Sequence, residues 1–91
     1  MITAAQIRAA RALLGIDQRQ LSRLAGLSLP TIQRMEASTG AQVRGNVESL
    51  TKLVDALGTA GVELIGEGAV SHAAGRGVRL TTVPVSDRPS T

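Results

Sequence analysis

Arg34 presents a fork of N–H donors, and Leu29, Thr31 and Gln33 stand just upstream of it. A guanidinium matches the two acceptors on the major-groove edge of guanine, whereas a threonine or leucine methyl meets the methyl of thymine. Arg34 is therefore the expected principal base reader. Thr31 and Leu29 are expected on a thymine methyl or a phosphate, and Gln33 faces either a base or the flank. A second group, Gln18, Ser28, Pro30, Arg19, Arg23 and Arg44, lies around them and is expected along the sugar–phosphate backbone, where contacts add affinity without reading sequence.

Such side chains work only if a helix end carries them into a groove, and residues 17–38, DQRQLSRLAGLSLPTIQRMEAS, have the punctuation for it. Leu21, Leu24 and Ala25 share one face, Gly26 stops that helix, Ser28 caps the next, and Ile32 and Met35 resume the buried spacing. Pro30 falls in the first turn of the second helix, where it is tolerated. With Ile32 and Met35 inward, Ser28, Leu29, Pro30, Thr31 and Arg34 occupy the leading side. The predicted helices run about Gln18 to Ala25, with Asp17 as cap, and Leu29 to Ala37, a helix-turn-helix pair.

A further helix precedes this pair, from a Thr3 cap with Gln6 reaching back to it as far as Leu14 and Gly15, and it sets Ile7, Ala10, Arg11 and Leu14 on one face. Another follows from an Asn46 cap to about Ala60, with Val47, Leu50, Leu53, Val54 and Leu57 at three- and four-residue spacing. Charge is biased to the same half. Residues 1–45 hold six arginines against Asp17 and Glu36, while the remainder holds four basic and five acidic residues. A positive field over the helix-turn-helix suits a polyanion.

The stretch from Ile7 to Leu57 resembles the Xre/Cro family of helix-turn-helix regulators, the phage-repressor type. The residues that carry the resemblance are Ile7-Arg8-Ala9-Ala10-Arg11, Leu14-Gly15, Gln18-Arg19-Gln20-Leu21, Ala25-Gly26 and Thr31-Ile32-Gln33-Arg34-Met35-Glu36. The resemblance implies an ion pair between Arg11 on the first helix and Glu36 at the end of the third. It also matches the family's early base-reading positions to Leu29, Pro30 and Arg34, two of them apolar here, so that hydrogen-bond readout rests on Arg34 with Thr31 in support. The closing segments around Val62-Glu63-Leu64-Ile65 and Val78-Arg79-Leu80 are similar to those of short bacterial regulators of this type.

The expected architecture is mainly α, a four- to five-helix phage-repressor-like bundle over residues 1–61. Residues 62–83 are expected as a short β-strand pair, with Val62 to Ile65 extended, Gly66 to Gly77 a small-residue loop and Val78 to Val83 alternating apolar residues with Arg79 and threonines, and residues 84–91 as a disordered tail. A two-stranded hairpin is marginal alone, so Val62, Leu64, Ile65, Val78 and Leu80 are expected to stabilise it by pairing with a second subunit. The core has no aromatic side chain to enlarge it, which also favours a dimer.

Other chemistries find little material. No cysteine means no disulfide and no thiolate metal site; His72 has no acidic neighbour, and Ser71 beside it has no third partner for a hydrolytic triad. The segment GEGAVSHAAGRG lacks the glycine-lysine-hydroxyl ending of a phosphate loop. No metal, cofactor or enzymatic activity is expected. The first 30 residues hold no apolar run of a signal peptide or membrane helix, so the chain is expected in the cytoplasm with the nucleoid and away from membranes. The expected partner is double-stranded DNA, bound by a homodimer at a two-fold operator with its recognition helices about 34–36 Å apart. That reading makes the chain a sequence-specific transcription regulator, most simply an autoregulatory repressor. The alternative is an antitoxin or antiactivator that grips a protein partner through the C-terminal strands.

Overall fold

The computed structural model describes residues 2–38 and 46–81, in which four helices run in the order α1 (Ala4–Leu14), α2 (Gln18–Ala25), α3 (Leu29–Glu36) and α4 (Val47–Thr59). Each start has a side-chain cap that accepts a backbone N–H three residues on: Thr3 from Gln6, Asp17 from Gln20, Ser28 from Thr31 and Asn46 from Ser49. At α1 and α2 the capping residue's own N–H is returned to the glutamine side chain, Gln6 and Gln20 respectively, which satisfies two otherwise orphan donors at each start.

The corners α1–α2 and α2–α3 are built by the same device. Gly15 and Gly26 adopt left-handed conformations with φ of 70° and 66°. Beyond each, the next residue's N–H returns to a carbonyl five residues back, from Ile16 to Arg11 at 3.1 Å and from Leu27 to Ser22 at 3.0 Å. Ile16 and Leu27 then pack on the core, and the next residue caps the new helix. A side chain at Gly26 would meet open space but would strain this backbone. Gly26→Ala is therefore expected to cost about 1–2 kcal/mol, seen as a Tm lower by about 5–15 °C for a domain of this size in a thermal melt.

Ile7, Leu21, Ile32, Met35, Leu53 and Leu57 are fully buried, joined by Ala4, Ala10 and Ala25, so α1, α2, α3 and α4 meet in one aliphatic core. α2 packs on α3 and α4, and α1 on α3. Two of the predicted faces are shifted. Leu24 is 51% exposed and Ser22 is buried in its stead, which costs little because the Ser22 hydroxyl donates to the Arg19 carbonyl at 2.7 Å. On α4, Val47 and Val54 point outward, leaving Leu53 and Leu57 as the buried pair with Leu50 partly covered. α3 ends at Glu36 rather than Ala37, and α4 at Thr59 rather than Ala60.

The C-terminal strand pair is corrected: residues 62–81 contain no strand, and the described residues hold four helices with no fifth. Val62 and Leu64 do lie inward, but on the helical core. The Val62 N–H is taken by the Leu57 carbonyl at 2.8 Å and the Ile65 carbonyl by the Gln6 side chain at 2.8 Å, so these two backbone groups bond to α4 and α1 where a ladder would need a second strand. Residues 66–79 are closed by a side chain: Arg79 donates to the carbonyls of Ala69 and Gly66. Val78 and Leu80 are exposed. The expected dimer and partner contacts through paired strands therefore lose the element on which they rested. The expected tail, 84–91, and the end of the second strand lie outside the described residues.

Candidate nucleic-acid interface

The recognition segment is held from behind by a cluster centred on Glu36, the last residue of α3. Its carboxylate, 3% exposed, accepts from Arg11 Nε at 2.6 Å and Arg11 Nη2 at 2.8 Å, a two-pronged pair, and from Gln18 Nε2 at 3.1 Å. Arg11 also donates to the Ile16 carbonyl at 3.3 Å, and Arg8 donates to the Glu36 carbonyl. One residue thus ties the end of α3 to α1 and to the first residue of α2. Burial pushes the Glu36 carboxyl upward, but the hydrogen bonds from Arg11 and Gln18 and the charges of Arg11 and Arg8 outweigh it and hold it below the usual carboxylate range. The Glu36 hydrogen bond in turn raises Arg11.

Clamping the far end of α3 leaves its near end projecting. Ile32 and Met35 face the core, while Ser28, Pro30, Gln33 and Arg34 are exposed and Leu29 and Thr31 are half-buried. Three polar side chains on that edge are linked: Ser28 Oγ lies 2.8 Å from Thr31 Oγ1, and Arg34 Nη2 donates to the same Thr31 oxygen at 3.3 Å. Among the described residues Arg34, Arg19 and Arg23 have no acidic partner, so their charge faces solvent. Arg44 lies outside the described residues.

The Gln18 side-chain amide donates one N–H to Glu36 at 3.1 Å, a bond that leaves its second N–H and its oxygen for other partners. The Asp17 carboxylate also occupies the start of α2, where it caps Gln20 at 2.7 Å. Arg19 and Arg23, on the same helix, are exposed. The parts of the cluster that spacing did not reveal are Arg8, bonded to a main-chain carbonyl, and Gln18, since neither contact has a sequence periodicity to signal it. His72 is exposed, Ser71 donates to Glu63, and no three His, Asp or Glu side chains among the described residues come together as they would to hold a metal ion. No described helix is long and apolar enough to cross a membrane.

A short helix locked at its C-terminal end, with a cationic, hydroxyl-rich leading edge set by a sharp glycine corner, defines a helix-turn-helix DNA-binding domain. A helix-turn-helix family model matches residues 7–64, from the middle of α1 past the end of α4, and the chain belongs to this Xre/Cro-like family of DNA-binding transcription regulators. No curated protein and no solved structure matches it.

Proposed function

We propose that this chain is a sequence-specific regulator without enzymatic activity that binds a two-fold operator as a homodimer and represses by occupying a promoter, its own included. The observation that carries the reading is Arg34, exposed and without an acidic partner among the described residues, on the leading edge of a helix whose other end is fixed by Glu36. A guanidinium so placed has donors for guanine O6 and N7, and the groove edge of every G·C pair offers them. Thr31, Leu29 and Gln33 border it and complete the base-reading edge. Ser28, Pro30, Arg19 and Arg23 flank it along the backbone. The homodimer places α3 twice, in successive major grooves about 34–36 Å apart.

Selecting binding sites from a random duplex library tests this. The expected product is an inverted repeat with a guanine in each half-site, bound by two chains in sedimentation at the working salt concentration. A library that returns no shared sequence would sink the specific reading. The chain's own upstream DNA, compared with a scrambled duplex, then tests autoregulation.

The backbone contacts make a separate prediction. Arg23→Ala is expected to weaken binding to selected and scrambled duplexes alike and to lower the slope of log K against log salt by about one for each phosphate no longer neutralised. Titrations from low to moderate salt read that slope, and an unchanged slope would place Arg23 away from phosphate.

A further inference from the structure

Arg34 belongs to the last turn of an eight-residue helix, yet bases are read from the leading end. The distance is bridged by the linked side chains on the exposed edge. Thr31 Oγ1 sits 2.8 Å from Ser28 Oγ and accepts from Arg34 Nη2, while Ser28 Oγ also accepts from the Thr31 N–H at 3.2 Å. Arg34 is thereby turned back one helical turn, over the residues that enter the groove first. We propose that Thr31 is the positioning residue for Arg34, holding its guanidinium over the first turn of α3 and so setting the preference for guanine. This rests on the reading of Arg34 as the base reader.

The placement of the hydrogens supports the assignment. The two hydroxyls carry two protons, and one of them lies between the oxygens whichever way that bond points. The other is free to donate outward, beside the four guanidinium N–H groups that Thr31 does not use. Thr31 also gains from its own anchorage, because its backbone N–H is held by the Ser28 cap. An exposed arginine without such a tether spreads over many rotamers, and ordering it on binding costs conformational entropy. A hydroxyl that pre-orders the fork lowers that cost at the guanine and leaves unspecific phosphate attraction unchanged. The edge therefore favours an acceptor-rich target, guanine O6 and N7 with a neighbouring phosphate oxygen, over the amino groups of adenine and cytosine.

The test compares the parent, Thr31→Val and Thr31→Ser on three duplexes: the selected operator, the same operator with 7-deazaguanine at the half-site guanines, and a scrambled sequence. Valine keeps the branched shape and removes the hydroxyl, whereas serine keeps the hydroxyl. The parent and Thr31→Ser are expected to lose about tenfold in affinity when guanine N7 is removed. Thr31→Val is expected to bind the unmodified operator about tenfold more weakly than the parent, to lose less than about threefold on the deaza duplex, and to show a smaller ratio of operator to scrambled affinity. If Thr31→Val discriminates as the parent does, Thr31 does not position Arg34. If Thr31→Ser fails alongside Thr31→Val, shape rather than the hydroxyl matters, and the assignment is also overturned. A parent indifferent to all three duplexes overturns the base-reading proposal itself, which sets that failure apart from the other two.

Discussion

Arg34→Ala is expected to lower affinity for the selected operator by about 2–6 kcal/mol, since each bidentate guanine contact discriminates by about 1–3 kcal/mol and a two-fold site holds two. The variant removes no buried atom: Arg34 is exposed, its guanidinium bonds to the Thr31 hydroxyl, and α3 remains held through Ile32, Met35 and Glu36. Folding stability should therefore stay within about 0.5 kcal/mol of the parent. Affinity for scrambled DNA falls only by the loss of one positive charge per chain, so the ratio of operator to scrambled affinity collapses toward one. Arg34→Lys separates the two contributions, because an ammonium keeps the charge and loses the planar fork. Anisotropy titrations at fixed salt measure both ratios. An operator preference that survives Arg34→Ala would move the readout to Gln33 or Thr31.

The second large effect is on folding. Glu36→Ala is expected to cost about 2–4 kcal/mol, because removing one partner of a buried pair leaves the other charge without compensation, and Arg11 is partly exposed. The same substitution also strands Gln18. A single aliphatic core of this size supports only about 3–5 kcal/mol in all, so the variant should keep only a small margin of stability and melt at a markedly lower temperature. Urea unfolding at pH 7 measures the difference, and a loss under 1 kcal/mol would show that packing alone seats α3.

The pH dependence follows from the same carboxyl. Glu36 is held below the ordinary carboxylate range in the folded chain and returns to about 4.3 when unfolded. Its contribution to stability is therefore fully present above that ordinary value and is lost as the pH falls through the lower, folded one. In the parent, stability should decline from about pH 5 downward. Glu36→Gln, already lacking the charge, should show a shallower decline over that window while being less stable at pH 7. Parallel curves for the two would mean that other carboxylates carry the acid sensitivity.

Much of the architecture can be read from local chemistry. Thr3, Asp17, Ser28 and Asn46 each cap a helix at the position expected, and Gly15 and Gly26 turn the two corners, because a cap or a left-handed glycine is settled among residues within one turn of each other. Periodicity likewise places Ile7, Leu21, Ile32, Met35, Leu53 and Leu57 inside. The edge of each apolar face is less legible. A three-or-four spacing defines a stripe wide enough to hold Leu24, Val47 and Val54 as readily as their neighbours, and only the position of the adjacent helix leaves those three outside and brings Ser22 in.

The recognition edge divides in the same way. Its amino acids, the cap that begins it and the arginine that marks it follow from the order of residues 26–36, and the relation of Arg11 to Glu36 follows from family resemblance. The inward turn of Gln18, the reach of Arg8 to a main-chain carbonyl and the link from Arg34 to Thr31 depend on side chains choosing among several partners in space. The C-terminal segment is the clearest case. Apolar residues alternate both at Val62 and Leu64, which lie against the core, and at Val78 and Leu80, which are exposed, and the same alternation serves a strand in a ladder or an irregular segment on a helical core. Only the tertiary structure decided between them, where the Val62 N–H bonds to the Leu57 carbonyl and the Ile65 carbonyl to the Gln6 side chain.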